Sequence, residues 1–411
     1  MIQAKMIFEK EGCAVALTLR EMIDLTQKQY RLRLLAGGTH LEHVVTWVHM
    51  MEFTNITEFF WGNELVVTSG YALQKEEDMF RLIDTLEKRN CTGLVINVGK
   101  YIQNVSGAVI AYCEEKKLPL LIMPWEMYLT EFVRDCCSLI NQSSRDEELL
   151  AQTVLQVIQS PQLAEVHREQ LEDYFHEENG FRMIAIRAEG SRRTAGLISD
   201  QRRVLRLHTA LRTFRFSYLV FRYEKRFVVV LNERSKEAAE KAVQRIRQAI
   251  RMVFAELPVY IGISDPADTY EQLAGCFHGA ISASRRAGLQ EQSVVWFHDM
   301  GFYKLLYSVP DDTLLLDYYH EIMDPLLEHD RLNHSAYVET LFRYLLYDGS
   351  LQEVAAKMFT HRNTVNYRMG KIRELLGCSL NSQKERLPYL VCYHIGVMMK
   401  LVKNMEAQEE S

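Results

Sequence analysis

The sequence lacks the features of a membrane protein and of a disulfide-rich secreted domain. No apolar run approaches the length of a membrane-spanning helix, and the N-terminus has no signal-peptide pattern. The eight cysteines form no C-x-x-C pair, and the adjacent Cys136 and Cys137 suit neither a disulfide framework nor a zinc site. We therefore expect a protein of the reducing cytoplasm that does not associate with a membrane.

Motifs of several enzyme classes are missing as well. The chain has no G-x-x-x-x-G-K-S/T, no G-x-G-x-x-G and no G-x-S-x-G, so nothing supports NTPase, dinucleotide or serine-hydrolase chemistry. His40 and His43 stand close together near a Gly-Gly turn without a third ligand, which favours a surface pair over a metal site. The sequence predicts no cofactor and no metal ion.

Length and charge limit the remaining possibilities. A chain of 411 residues is expected to form about two to four domains. Its composition, 48% hydrophobic and 25% charged, is that of an ordinary globular protein. A net charge of -6 argues against binding nucleic acid through a generally basic surface, so any affinity for DNA must be local.

Residues 350–377 show a local pattern of two helices joined by a tight corner. Ser350 and Glu353 predict a capping box at the start of the first helix. Thr360 is the predicted cap of the second helix, and Gly377 is its predicted end. The segment carries five Lys or Arg residues against two Glu, which is a positive charge in an acidic protein.

The second of these helices has two separable faces. Val365, Met369, Ile372 and Leu376 recur at helical spacing and predict a buried stripe. The polar side and the N-terminus of the helix carry His361, Arg362, Asn363, Thr364, Asn366, Tyr367, Arg368 and Lys371. Asn can pair with adenine, and Arg, Lys, Thr and Tyr can reach phosphates, so this set favours a helix-turn-helix over a hairpin with a merely solvated face.

The motifs of this segment carry a family resemblance. Ala355-Ala356-Lys357, His361-Arg362-Asn363-Thr364-Val365, Tyr367-Arg368, Ile372 and Leu375-Leu376-Gly377 resemble the C-terminal helix-turn-helix of PucR/CdaR-type bacterial transcriptional regulators. Gly370 departs from the family, in which this position tends to carry a larger or polar side chain. On this interpretation Asn363 and Asn366 read bases, while Arg362, Arg368 and Lys371 mainly hold phosphates.

Strands alternate with helices over residues 17–127, which predicts an α/β domain with a partly parallel sheet. The predicted elements are a helix capped by Thr18, a strand followed by a Gly-Gly turn within 33–40, strands at 44–48, 64–69, 94–98 and 119–123, a helix at 75–88 and a further helix before the last strand. The runs Leu17-Thr-Leu-Arg, Arg33-Leu-Leu-Ala-Gly, Val45-Thr-Trp-Val-His-Met-Met-Glu52, Trp61-Gly-Asn-Glu-Leu-Val-Val-Thr-Ser-Gly70 and Leu118-Pro-Leu with Met123-Pro-Trp125 resemble the family's purine catabolism regulator-like domain. The resemblance implies that this domain senses a metabolite.

Four polar residues of this domain lie at predicted strand ends, where α/β domains tend to bind ligands. His49, Glu52, Glu64 and Thr68 are therefore candidate effector contacts. The alternative, that Glu52 and Glu64 cap turns or pair on the surface, is favoured over ligand binding.

Residues 128–180 predict a helical linker, with a long helix that breaks at Ser160-Pro161 and a second helix. Such a stalk either pairs with its copy in a dimer or packs along one domain, and the pattern favours neither. An Arg-rich stretch, 192–215, follows in the next domain; a solvated helix face is favoured over an anion site there.

Residues 181–300 predict a βαββαβ order of the ferredoxin-like or cyclase-palm type. This order resembles the degenerate GGDEF-like domain of the same regulators. A cyclase needs carboxylates that hold a metal against a triphosphate, yet the hairpin offers only Tyr223-Glu-Lys-Arg226, so we expect no catalysis.

Residues 301–411 predict a helical DNA-binding domain, with helices at 311–320, 335–347 and 388–402 around the helix-turn-helix. Residues 1–16 are a predicted lead-in, and 406–411 a predicted frayed end.

The fold class expected for the whole chain is α/β and α multidomain. The expected function is a ligand-responsive regulator of a catabolic operon that binds double-stranded DNA as a homodimer or a higher homo-oligomer. The rival is a nucleotide cyclase or phosphodiesterase that uses the middle domain and docks through its C-terminal helices. A structural interaction protein is a third reading, which does not explain the polar face of the recognition helix.

Overall fold

The computed structural model describes residues 17–52, 60, 62–73, 75–188, 200–211, 214–251, 258–290, 292–309 and 311–402. The predicted lead-in and the predicted frayed end lie outside these residues. The chain divides into two compact units. The first contains Met1–Val259 and Pro266–Phe277, and the second contains Tyr260–Asp265 and His278–Ser411. None of the described helices is both long enough and apolar enough to cross a membrane.

The first sheet confirms the predicted partly parallel α/β layer. Its strands are β1 (Arg33–Ala36), β2 (Trp47–Met50), β3 (Glu64–Thr68), β4 (Gly93–Val98) and β5 (Leu120–Pro124). Their order is β1-β5-β4-β3-β2, in which β2 to β5 are parallel to their neighbours and β1 is antiparallel to β5. The strand predicted at 44–48 is shifted, because Val44 forms an isolated bridge with Thr18 before β2 begins.

Helices cover both faces of this sheet. They are α1 (Leu19–Tyr30), α2 (Glu76–Lys88), α3 (Gly107–Glu115) and the long α4 (Leu129–Gln159). Alternation along β3 divides the core, since Val66 packs with residues of α2 and α3 while Leu65 and Val67 pack with residues of α1 and α4. Thr18 and Glu21 form a complete capping box, which confirms the predicted cap of α1.

The residues predicted as a helical linker form α4 followed by α5 (Ala164–Glu172), with a 3-10 turn at Pro161–Leu163 between them. Their role as a linker stays a prediction. Phe132 and Cys136 of α4 are buried against the first sheet. Val154 and Val157, nearer its C-terminal end, are also fully buried within the chain. The apolar side of α4 is thus covered by its own chain, which agrees with packing along a domain rather than with an exposed coiled-coil stripe.

The second sheet has the predicted ferredoxin-like strand arrangement with one added strand. It consists of β6 (Arg182–Ala188), β7 (Tyr218–Tyr223), β8 (Arg226–Leu231), β9 (Val259–Ile263) and β10 (Val294–Trp296). In the first unit β8 is antiparallel to β6 and β7, and in the second unit β10 is parallel to β9.

Three helices connect these strands: α6 (Asp200–Leu211), α7 (Lys236–Arg251) and α8 (Leu273–Leu289). The Arg-rich stretch falls partly on α6, whereas its residues 192–199, 212 and 213 lie outside the described ones.

The remainder is helical, as predicted, but α10 is longer than the helix predicted at 311–320, and α14 begins and ends earlier than the helix predicted at 388–402. The helices are α9 (Tyr303–Tyr307), α10 (Asp312–Asn333), α11 (Tyr337–Leu346), α12 (Leu351–Lys357), α13 (Arg362–Leu376) and α14 (Gln383–Met398). α10 continues through Pro325 because Met323 and Leu326 on either side are fully buried, which offsets the lost hydrogen bond. α14 starts before Pro388 because Ser382 and Glu385 form a capping box.

The last helix is held in the core of this unit. α14 packs mainly against α10 and α11. The hydroxyl of Tyr303 lies 3.1 Å from Nδ1 of His394. Burial lowers the pKa of His394 to about 4, so the ring is neutral near pH 7 and can accept this hydrogen bond.

Candidate nucleic-acid interface

The buried stripe of α13 is confirmed. Val365, Met369 and Ile372 are fully buried, in one core with Val354 of α12 and Leu341 of α11. Leu376, the fourth residue predicted for the stripe, is only partly buried at the helix end. The opposite side of α13 must therefore face outward within this unit.

The corner before α13 differs from the prediction. Phe359 adopts a left-handed conformation with φ of 50°, and the amide of Thr360 then donates to the Ala355 carbonyl over 3.0 Å. Thr360 is thus not the cap of α13. The cap is His361, whose Nδ1 accepts from the Asn363 amide over 3.2 Å.

Only half of the capping box predicted for α12 forms. The hydroxyl of Ser350 accepts from the amide of Glu353 over 3.4 Å. The Ser350 amide donates to the Tyr347 carbonyl over 2.8 Å instead of to the Glu353 carboxylate. At the other end of the corner motif, Gly377 ends α13 with φ of 60°, as predicted.

All eight residues predicted to bind DNA lie on the outer side or at the start of α13. His361, Arg362, Asn363, Asn366 and Tyr367 are exposed, and Thr364, Arg368 and Lys371 are half-exposed. Tyr367 is 64% exposed although it is a large aromatic residue. This exposure is what groove contact requires, and the DNA roles of the individual residues stay predictions.

Three of the cations counted in the local charge have partners, and Lys357 is one of them, with Nζ 5.9 Å from the centre of the Tyr347 ring. The Arg373 guanidinium donates to the Ser379 carbonyl over 2.8 Å and lies against the Tyr344 ring, so it holds the end of α13 in place. Lys371 Nζ lies 2.7 Å from Glu374 Oε2, and this hydrogen bond raises the pKa of Lys371. A phosphate contact by Lys371, which stays a prediction, would compete with Glu374 for its charge.

Glu374→Gln is expected to strengthen binding to every DNA sequence several-fold at low salt. The change removes an anion from the face of α13 and leaves the full charge of Lys371 to a phosphate contact, which adds a fraction of one counterion to those released on binding. Titration at several salt concentrations measures this as a steeper slope of log affinity against log salt. An unchanged slope would mean that Lys371 does not reach the DNA.

Gly370 has an open environment. A Cβ atom built on it meets no atom within 4 Å outside the local helix backbone. No packing within the described residues therefore requires glycine, which weakens an interior helical position by about 1 kcal/mol relative to alanine.

Gly370→Ala is accordingly expected to raise the free energy of unfolding by about 0.5–1 kcal/mol, because alanine restricts the unfolded chain without a clash. Urea denaturation measures the change. DNA affinity of the same variant shows whether the glycine serves the interface: a loss of binding in a more stable protein indicates close backbone approach to DNA. A less stable variant would contradict the open environment.

The four candidate effector residues do not form one cluster. Glu64 lies at the amino end of β3, where its carboxylate accepts from the Gly62 amide over 2.7 Å. Thr68 lies at the opposite end of that strand, and its hydroxyl accepts from the Gly70 amide over 3.0 Å.

The other two candidates are in or just after β2. Glu52 accepts from the Ser69 amide over 3.1 Å and from its hydroxyl, and the ring of His49 lies 5.2 Å from that of Phe60. Glu52 and Thr68 thus lie beside the loop after β3, which begins at Ser69 and Gly70. Glu64 lies at the other end of that strand. The bonds of both glutamates are those of turn-capping groups, and effector contact by the four residues stays a prediction.

Sequence reasoning missed Phe359. It is 98% exposed, at the corner between α12 and α13. The available signal was an aromatic residue in a corner that otherwise requires small or polar residues.

Comparison with known protein families identifies three segments. Residues 21–140 match the purine catabolism regulatory protein-like family, 164–285 match the GGDEF-like domain, and 337–395 match the PucR C-terminal helix-turn-helix domain. Their order is the one that the sequence motifs predicted. The chain thus carries the three domains of PucR-type regulators.

Two curated relatives of this chain are regulators from Bacillus subtilis. The proline-responsive transcriptional activator PutR is 25% identical over 175 residues, which are 41% of this chain and 43% of the relative. The purine catabolism regulatory protein is 31% identical over 101 residues, 24% of this chain and 19% of the relative. The matches therefore span less than half of either relative.

A solved structure also aligns with the chain. The regulator of polyketide synthase expression from Bifidobacterium adolescentis shares 15% identity, over 62% of this chain and 98% of that one. Its TM-score of 0.28 is too low to indicate a common arrangement.

Proposed function

We propose that this protein is a cytoplasmic, ligand-responsive transcriptional regulator that binds double-stranded DNA through α13. The observation that carries the proposal is the division of α13 into a fully buried stripe and an exposed polar face, inside the segment that matches a helix-turn-helix family. A recognition helix needs this combination, since its core side fixes it while its outer side enters the major groove.

The side chains on the outer face divide by chemistry. Asn363 and Asn366 offer paired amide donors and acceptors for base edges, and both are exposed. Arg362, Arg368 and Lys371 supply cations for phosphates. His361, Thr364 and Tyr367 lie among them and add neutral contacts to the backbone or to bases.

We further propose that the regulator acts as a homodimer. Helix-turn-helix proteins commonly place two recognition helices in successive major grooves, about 34 Å apart, on a two-fold symmetric site. Two copies of α13 on one operator would read twice as many base pairs as one copy, which would raise the preference for the operator over random DNA.

The middle domain is proposed to be non-catalytic. The carboxylate of the β7–β8 hairpin, Glu224, is 2.8 Å from the Arg226 guanidinium, so its charge is already paired. Among the described residues no group of three or more His, Cys, Asp or Glu side chains could hold a metal ion. Incubation of the full chain with GTP and Mg²⁺ tests this directly, and product formation would support the cyclase reading.

Regulation of catabolic genes and response to a metabolite are proposed from the relatives. One is named for its response to proline and the other for purine catabolism. On that basis we propose a small-molecule effector for this chain. The chemical class of that effector must follow from the residues of this chain.

The experiment that tests the proposal is a gel-shift of the purified full chain. DNA from the promoter regions flanking its own gene is the probe, and excess random DNA is the competitor. We expect a retarded band that persists in the presence of excess random DNA. The band should not form with a probe in which the operator sequence is scrambled. The absence of any retardation at low salt would remove the regulator assignment.

A further inference from the structure

A cavity of about 820 Å³ lies within the first compact unit. Its walls come from α4, α6, β7 and the segment Val44–Trp47 that leads into β2. Cavities of roughly 300–1,000 Å³ are the size that small-molecule sites usually have. Most of the lining is apolar, and it includes Ile140, Leu155 and Val220.

Two ionisable side chains meet in the wall of this cavity. His208 of α6 is only 3% exposed, and its Nε2 lies 3.0 Å from Oε1 of Glu147 on α4. The atoms are close enough for an ion pair, but their alignment does not make a hydrogen bond. Both ring nitrogens of His208 and Oε1 of Glu147 have no hydrogen-bonding partner among the residues that the structure describes.

Such a pair calls for a partner. A buried polar group without a hydrogen bond costs free energy, and native structures contain few of them. Both side chains belong to the lining of a roomy cavity, although the three unsatisfied atoms are themselves shielded. The Glu147 side chain is 18% exposed, so its rotation on binding would open these atoms to a bound molecule. The carboxylate accepts hydrogen bonds only, while the imidazole supplies one donor and one acceptor when neutral.

We propose that this cavity is a small-molecule site, and that its ligand has an apolar body and a polar head with N–H donors, such as an amide or amidine. The head would donate to Glu147 Oε1 and bond the His208 ring. The body would lie against Ile140, Leu155 and Val220.

The site deepens the proposed function, on which its regulatory meaning rests. α4 packs against the first sheet with its N-terminal half and against β7 with residues nearer the cavity. A ligand between α4, α6 and β7 would therefore bias the contact between the metabolite-sensing segment and the GGDEF-like segment. The site is separate from the four candidate effector residues predicted from the sequence.

The binding test uses isothermal titration of the full chain with benzamidine, benzamide and benzoate. The three share one apolar ring, and only benzoate lacks an N–H donor. We expect benzamide or benzamidine to bind with one molecule per chain and benzoate to bind at least about tenfold more weakly, because it would bring a second anion to Glu147. Equal affinity for all three, or binding by none, would overturn the proposal.

Variants locate the site. Ala151 lines the cavity from α4, and Ala151→Phe is expected to abolish binding by filling it. Gln156→Phe adds the same ring to an exposed position of the same helix outside the lining, and it is the matched control. Glu147→Gln removes the charge without changing the size and is expected to weaken benzamidine more than benzamide. Undiminished binding to a folded Ala151→Phe protein would overturn the location.

A separate arm tests the effector role. The operator affinity of wild-type protein is measured with and without saturating probe, and the Gln156→Phe and Ala151→Phe proteins are measured in parallel. We expect a probe-dependent change in operator affinity in the wild type and in Gln156→Phe, and none in Ala151→Phe. Probe binding without any change in operator affinity would overturn the effector role. Failure to bind DNA in the absence of probe would instead remove the regulator assignment.

Discussion

Asn363→Ala is expected to weaken operator binding by about 1–3 kcal/mol and to leave binding to random DNA nearly unchanged. Asn363 is exposed at the start of α13, and its backbone amide is already bonded to the His361 cap. The substitution therefore removes a side-chain amide from the groove face while the helix keeps its cap. Competition titrations with operator variants measure the effect as relaxed preference at one base pair.

Lys371→Ala is the matched control for this prediction. Lys371 is half-exposed on the same helix, and its contact with DNA is expected to be a phosphate. Its loss should weaken binding to operator and random DNA alike and reduce the salt slope by about 1. If both variants lose affinity for the two kinds of DNA in equal measure, the division into base-reading and phosphate-binding residues is wrong.

Gly262→Ala is expected to destabilise the protein by about 3 kcal/mol, at the upper end of the usual cost of overpacking. A Cβ atom at this position of β9 would lie 2.1 Å from the Ser284 nitrogen and 2.2 Å from the Ala280 oxygen. Both are backbone atoms of α8, so relief requires the whole helix to move away from the strand. Urea denaturation monitored by circular dichroism measures the loss.

Gly275→Ala is the control for this second prediction. Gly275 belongs to the same helix, yet a Cβ atom there meets nothing within 4 Å beyond the local helix backbone. This variant is expected to be unchanged or more stable by up to about 1 kcal/mol. Equal stability of the two variants would show that β9 and α8 do not approach as closely as the structure has them.

The elements set by local pattern were the ones that the sequence predicted well. The buried stripe at Val365, Met369 and Ile372 follows from helical periodicity, which survives in any tertiary context. The cap at Thr18 and the helix end at Gly377 also depend only on neighbouring backbone groups. The strand order of the second sheet followed from the sequence of elements, because few topologies fit it.

What the sequence did not predict depends on neighbours that are distant along the chain or on backbone choices at one residue. The cap moved from Thr360 to His361 because Phe359 turns left-handed, which no side-chain pattern announces. Arg373 was counted in the positive charge of the helix-turn-helix segment. Its guanidinium instead donates to the Ser379 carbonyl and lies against the Tyr344 ring. The pairing of Glu147 with His208 joins two helices far apart in sequence and carries no local signature.

The separation of core and outer face on α13 has a consequence for how such a protein diversifies. Exposed positions away from caps and cores tolerate substitution at a cost of usually less than about 0.5 kcal/mol. After a gene duplication, the exposed residues Asn363, Asn366 and Tyr367 can therefore change while the copy still folds. A new operator preference and loss of the old one would then arise within a few mutations. Paralogues of this chain can therefore come to regulate different genes long before their folds diverge.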